Sequence, residues 1–364
     1  MLQSDTRLIE IFTSINQINC LSENEKEMAE FVEKFATSLG YSVVYDDAAQ
    51  YTNSNTGNVI ITSGEGGDFA LISHLDTARE TANVKTVFHE DRLTSGGDTP
   101  LGVDDRVGVA TLLRVLELNA AQGMKDITVA FTTCEETTLL GSVNLKLPEK
   151  VKECFIFDSY KDPGTIINRA YGAMGFNVEI KGRASHSGIA PEKGIHSIKA
   201  AAAAVAEIPC GRKGDTITVN IGTFTGGTAV NVVPAHTKLE GEVRSPFRNL
   251  VEEEIANIKT IFEKHCAEYG AELKFESRWD FEPYIIEQEH STYLRAAEAI
   301  SNAGLTPVAS DSWGGSDANS LNAKGIPTLN LGTGARNPHG DDEYIMLEHF
   351  YSDLAIAKAL IGVN

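Results

Sequence analysis

The first part of the chain combines helical spacing with short apolar runs. Leu8, Ile11 and Ile15 recur at helical spacing and predict a first helix. Ser22 and Glu25, three residues apart, predict a capping box that opens a second helix. Runs of β-branched and aromatic residues, separated by glycine-rich turns, predict strands at 41–45, 58–62, 69–73, 127–133 and 154–157.

Strands and helices alternate over this part of the chain, because a helical pattern at 106–118 lies between two of the predicted strands. Alternation of this kind is typical of layered α/β proteins. We therefore expect an α/β fold whose mainly parallel central sheet is flanked by helices.

The pattern changes after Gly172. Alternating runs and helical periodicity then predict the order β-α-β-β-α-β, with strands at 176–180, 216–223, 237–243 and 272–277 and helices at 195–208 and 250–269. That order is typical of a ferredoxin-like α+β unit. A strand at 327–331 and helices at 292–303 and 347–360 return to the α/β pattern. We predict one domain from residues 1–170 and 282–364, with a second domain, 171–281, inserted into it.

Composition narrows the class of protein. The chain has 364 residues and a net charge of −20, which argues against nucleic acid or an anionic membrane surface as a partner. Its cysteines form no CxxC pair, a pattern that favours a reducing compartment. No apolar stretch approaches the ~20 residues that span a bilayer, and the N-terminus lacks the apolar core of a signal peptide. We predict a cytoplasmic, soluble enzyme.

Ionisable side chains follow the ends of several predicted strands or open the helix after one, and another lies in a loop near the C-terminus. The first set is His74, Asp104, Glu135, Glu136 and Asp158, and the loop residue is His339. In open α/β sheets ligands gather outside the carboxyl ends of the strands, so these side chains can converge. Imidazole and carboxylate ligands without thiolate suit zinc, with cobalt or manganese as alternatives.

Each of these residues also has a structural explanation when it is taken singly. Asp104 is placed to cap a helix, and Asp158 is placed in a turn. Glu135 and Glu136 could begin a solvated helix, and a lone histidine is usually structural. The ordered conjunction of all of them is what favours a metal site.

Nine short motifs, in order along the chain, carry a resemblance to a known family. They are SHLDT around His74, LGVDDRVGVA around Asp104, FTTCEET at 131–137, FDS at Asp158, ASHSG at His186, NVVP at Asn231, EVRS at Arg244, GGSDAN at 314–319 and NPHG at His339. The chain thereby resembles the M20 metallopeptidases, and within them the peptidase T-like branch. The resemblance implies a catalytic domain and an inserted ferredoxin-like lid that can form dimers.

The resemblance also implies two Zn²⁺ ions per subunit, with Co²⁺ or Mn²⁺ as alternatives. One ion would bind His74, Asp104 and Asp158. The other would bind Asp104, Glu136 and His339, so that Asp104 bridges the pair.

Two further acids receive roles from the resemblance. Glu135 would be the general base for a hydroxide that bridges the metals, and it would pass the proton to the leaving amine. Asp76 would hydrogen-bond the imidazole of His74 and fix its orientation. Cys134 is a small buried strand residue in this interpretation, not a nucleophile.

The inserted domain would supply the substrate contacts. By resemblance, His186 polarises the scissile carbonyl, from either its own subunit or the partner in a homodimer. Asn231 and Arg244 would bind the carboxylate or carbonyl of a short peptide, and Gly314 and Gly315 would let backbone approach it. The structural alternatives are an exposed loop histidine, a turn asparagine, an ion-paired arginine and an ordinary loop.

Three activities are compatible with these residues. The first is a zinc peptidase that releases the N-terminal residue of tripeptides. The second is an M20 carboxypeptidase or N-acyl amino-acid amidohydrolase, which would use the same chemistry on a different substrate. The third is a metal-binding homologue without catalysis, and the presence of Glu135 argues against it.

Overall fold

The computed structural model describes residues 4–82 and 84–363 and divides them into two compact units. The larger unit runs to Arg169 and resumes with Ile285–Ser312 and with the residues from Ser316 onward. The smaller unit comprises Ala170–Tyr284 together with Trp313–Gly315.

The regular elements are numbered in chain order. The helices are α1 Thr6–Ile15, α2 Lys26–Ser38, α3 Val103–Ala121, α4 Glu135–Thr138, α5 Leu140–Asn144, α6 Ser197–Glu207, α7 Arg248–Tyr269, α8 Ser291–Asn302, α9 Asp317–Ala323 and α10 Leu347–Ile361. The strands are β1 Ser42–Tyr45, β2 Val59–Thr62, β3 Phe69–His74, β4 Thr86–Phe88, β5 Arg92–Ser95, β6 Thr128–Thr132, β7 Glu153–Ser159, β8 Thr165–Ala170, β9 Gly172–Lys181, β10 Gly211–Lys213, β11 Ile217–Gly226, β12 His236–Ser245, β13 Glu272–Phe281, β14 Tyr284–Ile285, β15 Val308–Ser312, β16 Thr328–Gly332 and β17 Tyr344–Met346.

The main sheet of the larger unit includes strands in the spatial order β1-β2-β6-β3-β7-β16-β8. Its centre is parallel: β3 pairs in parallel with β6 and β7, and β16 pairs in parallel with β7. The flanking pairs β1–β2, β2–β6 and β16–β8 are antiparallel. This arrangement confirms the predicted mixed α/β fold. It also brings the carboxyl ends of β3, β6, β7 and β16 to one edge.

Helix α3 is the central helix of the larger unit. Apart from the half-buried Arg114, its residues from Val107 to Leu116 are buried and mostly apolar. A helix of this kind needs neighbours around it, and α3 packs against α1, α10, β3 and β7.

Within the described residues no helix is long and apolar enough to cross a bilayer. A cytoplasmic location stays a prediction.

The predicted capping box at Ser22 and Glu25 is wrong. Helix α2 starts after Glu25, whose side chain does not cap it; the N–H of Lys26 instead donates to the side-chain oxygen of Asn55 at 2.9 Å. The Ser22 hydroxyl instead donates to Asp76 at 2.6 Å, and the buried Glu25 carboxylate accepts from the Cys134 N–H at 3.0 Å. Both side chains therefore form hydrogen bonds with segments far away in sequence and not with the start of α2.

The strands β4, β5 and β17 form a small three-stranded sheet that the sequence pattern does not predict.

The smaller unit has one antiparallel sheet in the order β10-β11-β12-β9-β13. Helices α6 and α7 pack against it and against each other. Ala200 and Ala204 of α6 and Ile258 and Phe262 of α7 are buried in the same hydrophobic core. The order β9-α6-β11-β12-α7-β13 confirms the ferredoxin-like prediction, with the short edge strand β10 in addition.

Candidate metal centre

Two predicted ligands stand at the ends of neighbouring parallel strands. His74 is the last residue of β3, and Asp158 is the penultimate residue of β7. Thr132, the last residue of β6, lies opposite His74 in register. The parallel pairing of these strands is therefore what brings an imidazole and a carboxylate, far apart in sequence, to the same edge of the sheet.

The acids Glu135 and Glu136 lie on a sharp turn between β6 and α4. Cys134, just before them, has a positive φ of 54°, so the chain turns abruptly as the strand ends. The carboxylate of Asp76 accepts the N–H of Glu135 at 3.1 Å and that of Glu136 at 3.2 Å. One buried carboxylate therefore holds the backbone that presents both acids.

The N-terminus of α3 contains two acids in different environments. Gly102 has a φ of 73°, and Asp104 and Asp105 have non-helical dihedral angles. Asp105 is buried and accepts hydrogen bonds from the Ser73 hydroxyl at 2.5 Å and the Gly108 N–H at 3.1 Å. Asp105 is also near enough to His74 to be a candidate ligand, but these bonds already engage its oxygens. Among the described residues, the side chain of Asp104 contacts His74 and His339 instead.

The distances among five predicted ligands form two overlapping groups. His74 Nε2 lies 3.1 Å from Asp104 Oδ1 and 3.5 Å from Asp158 Oδ1. His339 Nε2 lies 3.4 Å from Asp104 Oδ2 and 3.0 Å from Glu136 Oε2. Asp104 thus offers one carboxylate oxygen to each histidine, as a bridging ligand would.

The charges within this cluster depend strongly on one another. Burial lowers the pKa of His74, but hydrogen bonds to Asp104 and Asp158 outweigh burial and hold that pKa well above its ordinary range. Hydrogen bonds to Asp104 and Glu136 raise the pKa of His339 to about 10. Burial opposes ionisation of Asp104, yet the two histidines bring its pKa below the usual range. The cluster attracts positive charge, here supplied by protons.

The remaining acids are costly to ionise without a cation. Burial raises the pKa of Glu135, Glu136 and Asp158 above the ordinary carboxyl range, and neighbouring carboxylates add to the effect. Glu136 Oε1 is buried and has no hydrogen-bond partner in the described structure. An unpaired buried carboxylate oxygen beside imidazole nitrogens is the donor chemistry that a divalent metal requires. The residues present therefore fit a metal site.

Several supporting residues carry no sequence signal of their own. Asn330 donates to Asp158 Oδ2 at 3.0 Å, and the Thr132 hydroxyl donates to the buried carboxyl of Asp317. Burial raises the pKa of Asp317 to about 6. The Nδ1–H of His74 can donate to the main-chain oxygen of Asp76 at 3.0 Å, closer than the Asp76 carboxylate at 3.5 Å. The contacts of Asn330 and Thr132 depend on the fold and could not be found by spacing alone, whereas a contact between Asp76 and His74 was expected, and its shorter distance is to the Asp76 main chain.

The smaller unit contains the predicted substrate-binding residues. His186 is exposed, and its Nδ1 accepts the N–H of Gly188 at 3.2 Å. The N–H of Ser187 donates to the main-chain oxygen of Asn231 at 3.0 Å. The fold thus joins the His186 loop to Asn231 through backbone contacts, while both side chains keep their exposure.

Arg244 has partners within its own unit. Its guanidinium meets both carboxylate oxygens of Glu242 at 3.0 Å and donates to the Trp313 carbonyl at 3.1 Å. Gly315 packs on the ring of Phe281, where a Cβ would come within 2.9 Å of ring carbons. A role for Arg244, Gly314 and Gly315 in substrate binding stays a prediction, and Gly315 has a packing role in addition.

Comparisons with known proteins agree with this geometry. A family profile described as a peptidase dimerisation domain of the M20 type matches residues 168–270. A profile described as peptidase family M28 matches residues 58–179. A curated peptidase T from Bacillus pumilus is 26% identical, over 87% of this chain and 79% of its own length.

Solved structures show the same similarity over nearly the whole chain. The aminopeptidase PepT of Bacillus cereus is 31% identical, with a TM-score of 0.90 over 98% of this chain and 97% of that one. The chain belongs to the peptidase T-like branch of the M20 family. A tripeptidase from Staphylococcus aureus is 28% identical to this M20 chain, with a TM-score of 0.91 over 100% of both chains.

Membership of the M20 family confirms two predictions made from the motifs, the family itself and the class of metallopeptidase. That Cys134 is not a nucleophile in this M20 protein stays a prediction, and the environment of its thiol supports it. Burial raises the pKa of the Cys134 thiol to about 12, so a nucleophilic thiolate is disfavoured at neutral pH.

Proposed function

We propose that this protein is a dinuclear metal aminopeptidase that releases the N-terminal residue of short peptides, above all tripeptides. The observation that carries the proposal is the position of Asp104, with one oxygen 3.1 Å from His74 and the other 3.4 Å from His339. The similarity to an aminopeptidase and a tripeptidase over nearly the whole chain supports the substrate class.

The ligand sets follow from the two groups of distances. His74, Asp104 and Asp158 would hold one ion, and Asp104, Glu136 and His339 would hold the other. Three carboxylates bring a charge of about −3 against about +4 from two divalent ions, so the site keeps a positive charge. Zn²⁺ suits these nitrogen and oxygen donors, and Co²⁺ or Mn²⁺ could replace it.

Glu135 is the proposed proton carrier. Bound divalent ions supply Lewis acidity, which polarises the scissile carbonyl and lowers the pKa of water. Glu135, whose pKa is raised by burial, takes a proton from water and passes it to the leaving amine. Asp76 holds the Glu135 backbone in place through the bond at 3.1 Å.

The smaller unit would recognise the substrate. We assign His186 to the developing oxyanion and Asn231 and Arg244 to polar groups of the peptide. Gly314 and Gly315 would line the peptide backbone. The match of residues 168–270 to a peptidase dimerisation domain supports a homodimer formed through this unit.

The test is a substrate panel with the metal-loaded protein. Tripeptides, dipeptides and N-acyl amino acids are assayed with wild type, Glu135→Gln and, as a control, the exposed Glu149→Gln. We expect tripeptide turnover that falls by about 10²–10⁴-fold in Glu135→Gln, with bound metal retained. Turnover of acyl amino acids without tripeptide cleavage would contradict the proposed substrate class.

A further inference from the structure

We propose that Glu343 is a positioning residue that fixes the backbone at two metal ligands, Asp104 and His339, with a single carboxylate. This inference rests on the metal site of the proposed function. Glu343 lies in the loop between β16 and β17, one residue before β17 begins, and its side chain is buried.

The two carboxylate oxygens of Glu343 serve two different segments. Oε2 accepts the N–H of Gly102 at 2.5 Å and that of Val103 at 3.3 Å. Oε1 accepts the N–H of His339 at 2.7 Å. Val103 directly precedes Asp104, so the carboxylate connects the backbone at one ligand to the backbone next to the other.

The backbone at Gly102 and Val103 and the backbone at His339 both need hydrogen-bond acceptors from outside their own segments. The first N–H groups of a helix have no partner within the helix, and those of Gly102 and Val103 lie at the start of α3. His339 has a backbone φ of 68°, a value that residues other than glycine rarely adopt. The Glu343 carboxylate stabilises both features at once.

Glu343 is suited to this role and poorly suited to be a ligand. Its two oxygens already accept three backbone N–H groups, so both are engaged in holding the chain. Arg79 also stabilises the loop that carries His339. Its guanidinium donates to the His339 carbonyl at 3.1 Å and pairs with Asp341 at 2.7 Å.

The main variant is Glu343→Gln. Glutamine keeps the size of the side chain but presents an NH₂ group to one of the two sets of N–H donors, so one segment loses its acceptor. We expect the affinity for Zn²⁺, measured by chelator competition, to fall by about 10–100-fold. The absorption spectrum of the Co²⁺-loaded protein should change, because the ligand geometry changes. In the metal-free protein, amide hydrogen exchange at Gly102, Val103 and His339 should accelerate.

The matched control is Glu153→Gln. Glu153 is buried at the opposite end of β7 from Asp158 and pairs with Arg295 at 2.9 Å. Its substitution should lower thermal stability while Zn²⁺ affinity and the Co²⁺ spectrum stay at wild-type values. Glu343→Asp keeps the charge with a shorter reach, and it should retain more affinity than Glu343→Gln.

The outcomes separate this inference from the proposed function. Wild-type affinity and an unchanged Co²⁺ spectrum in folded Glu343→Gln would overturn the positioning role and leave the metal site intact. If wild type itself binds no metal, both proposals fail. If Glu343→Gln does not fold, equal Zn²⁺ affinity and spectra in Glu343→Asp and wild type would overturn the inference.

Discussion

Two pairs of adjacent acids, Asp104–Asp105 and Glu135–Glu136, differ in the groups that their carboxylates contact. Asp104 contacts both histidines of the candidate site, whereas Asp105 accepts from Ser73 and Gly108 and serves the fold. Glu136 likewise reaches a histidine, while we propose that its neighbour Glu135 carries protons. At the scale of single residues, the hydrogen-bond partners decide between ligand and support.

Asp104→Ala is the sharpest test of the ligand assignment. We expect loss of both metal ions, because each proposed ligand set contains Asp104. The variant should also be less stable than the metal-loaded wild type, since buried Glu136 and Asp158 would lose the cations that compensate their charge, by about 3–5 kcal/mol if they stay charged. Metal analysis and urea unfolding measure both effects.

The control for that variant is Asp98→Ala. Asp98 is exposed in the same loop before α3, and its removal should change neither metal content nor stability. Two ions bound to purified Asp104→Ala would refute the bridging role.

At the scale of elements, the turn from β6 through α4 into α5 is the most constrained segment of the site. Gly141, in α5, packs so closely that a Cβ would lie 1.8 Å from the Thr133 carbonyl oxygen. Thr133 is in turn held by Asn58, whose side-chain oxygen accepts its N–H at 3.1 Å. The position of Glu135 and Glu136 therefore depends on a close backbone contact that only glycine permits.

Gly141→Ala should displace this turn. We expect a loss of about 1–3 kcal/mol in the free energy of unfolding, because the methyl group must push the backbone away. Peptidase activity should fall as well, since the two acids move. Gly97→Ala is the control, as no atom lies within 4 Å of its added Cβ. Unchanged stability and activity in Gly141→Ala would show that the contact is not a constraint.

At the scale of the whole molecule, proton binding, metal binding and stability are linked. In the metal-free protein, hydrogen bonds to Asp104 and Glu136 raise the pKa of His339 to about 10. The folded state then holds a proton that the unfolded state releases near pH ~6.5. The resulting stability is fully present below pH ~6.5 and is lost as the pH rises through about 10.

Metal must displace that proton, so its affinity should rise with pH. We expect an increase of about tenfold per pH unit through the neutral range for each histidine proton that is displaced, with protons released on binding, because only neutral imidazole binds metal. Calorimetry of Mn²⁺ binding in buffers of different ionisation enthalpy measures the release. His339→Asn should reduce the pH dependence to the part that His74 contributes, and the exposed His89→Asn should leave it unchanged. An affinity that is independent of pH in wild type would contradict the linkage.

The sequence by itself determined the fold class, the inserted unit and the family. Hydrophobic periodicity is a local property, and the β-α-β-β-α-β order could be identified from it because each element buries one face. The chemically specific motifs around His74, Asp104 and His339 indicated the same family that the comparisons show. The local prediction failed at Ser22 and Glu25, whose side chains contact a loop instead of the adjacent helix end.

Only the tertiary structure decided how the candidate ligands are held. Glu343 meets Gly102 across 241 positions of sequence, and Glu25 meets Cys134 across 109. No local pattern marks such a pair, because a buried carboxylate that accepts distant backbone N–H groups looks in sequence like any other acid. Which residues bind metal could be proposed from their order along the chain. Which residues position them became visible only when folding brought these segments together.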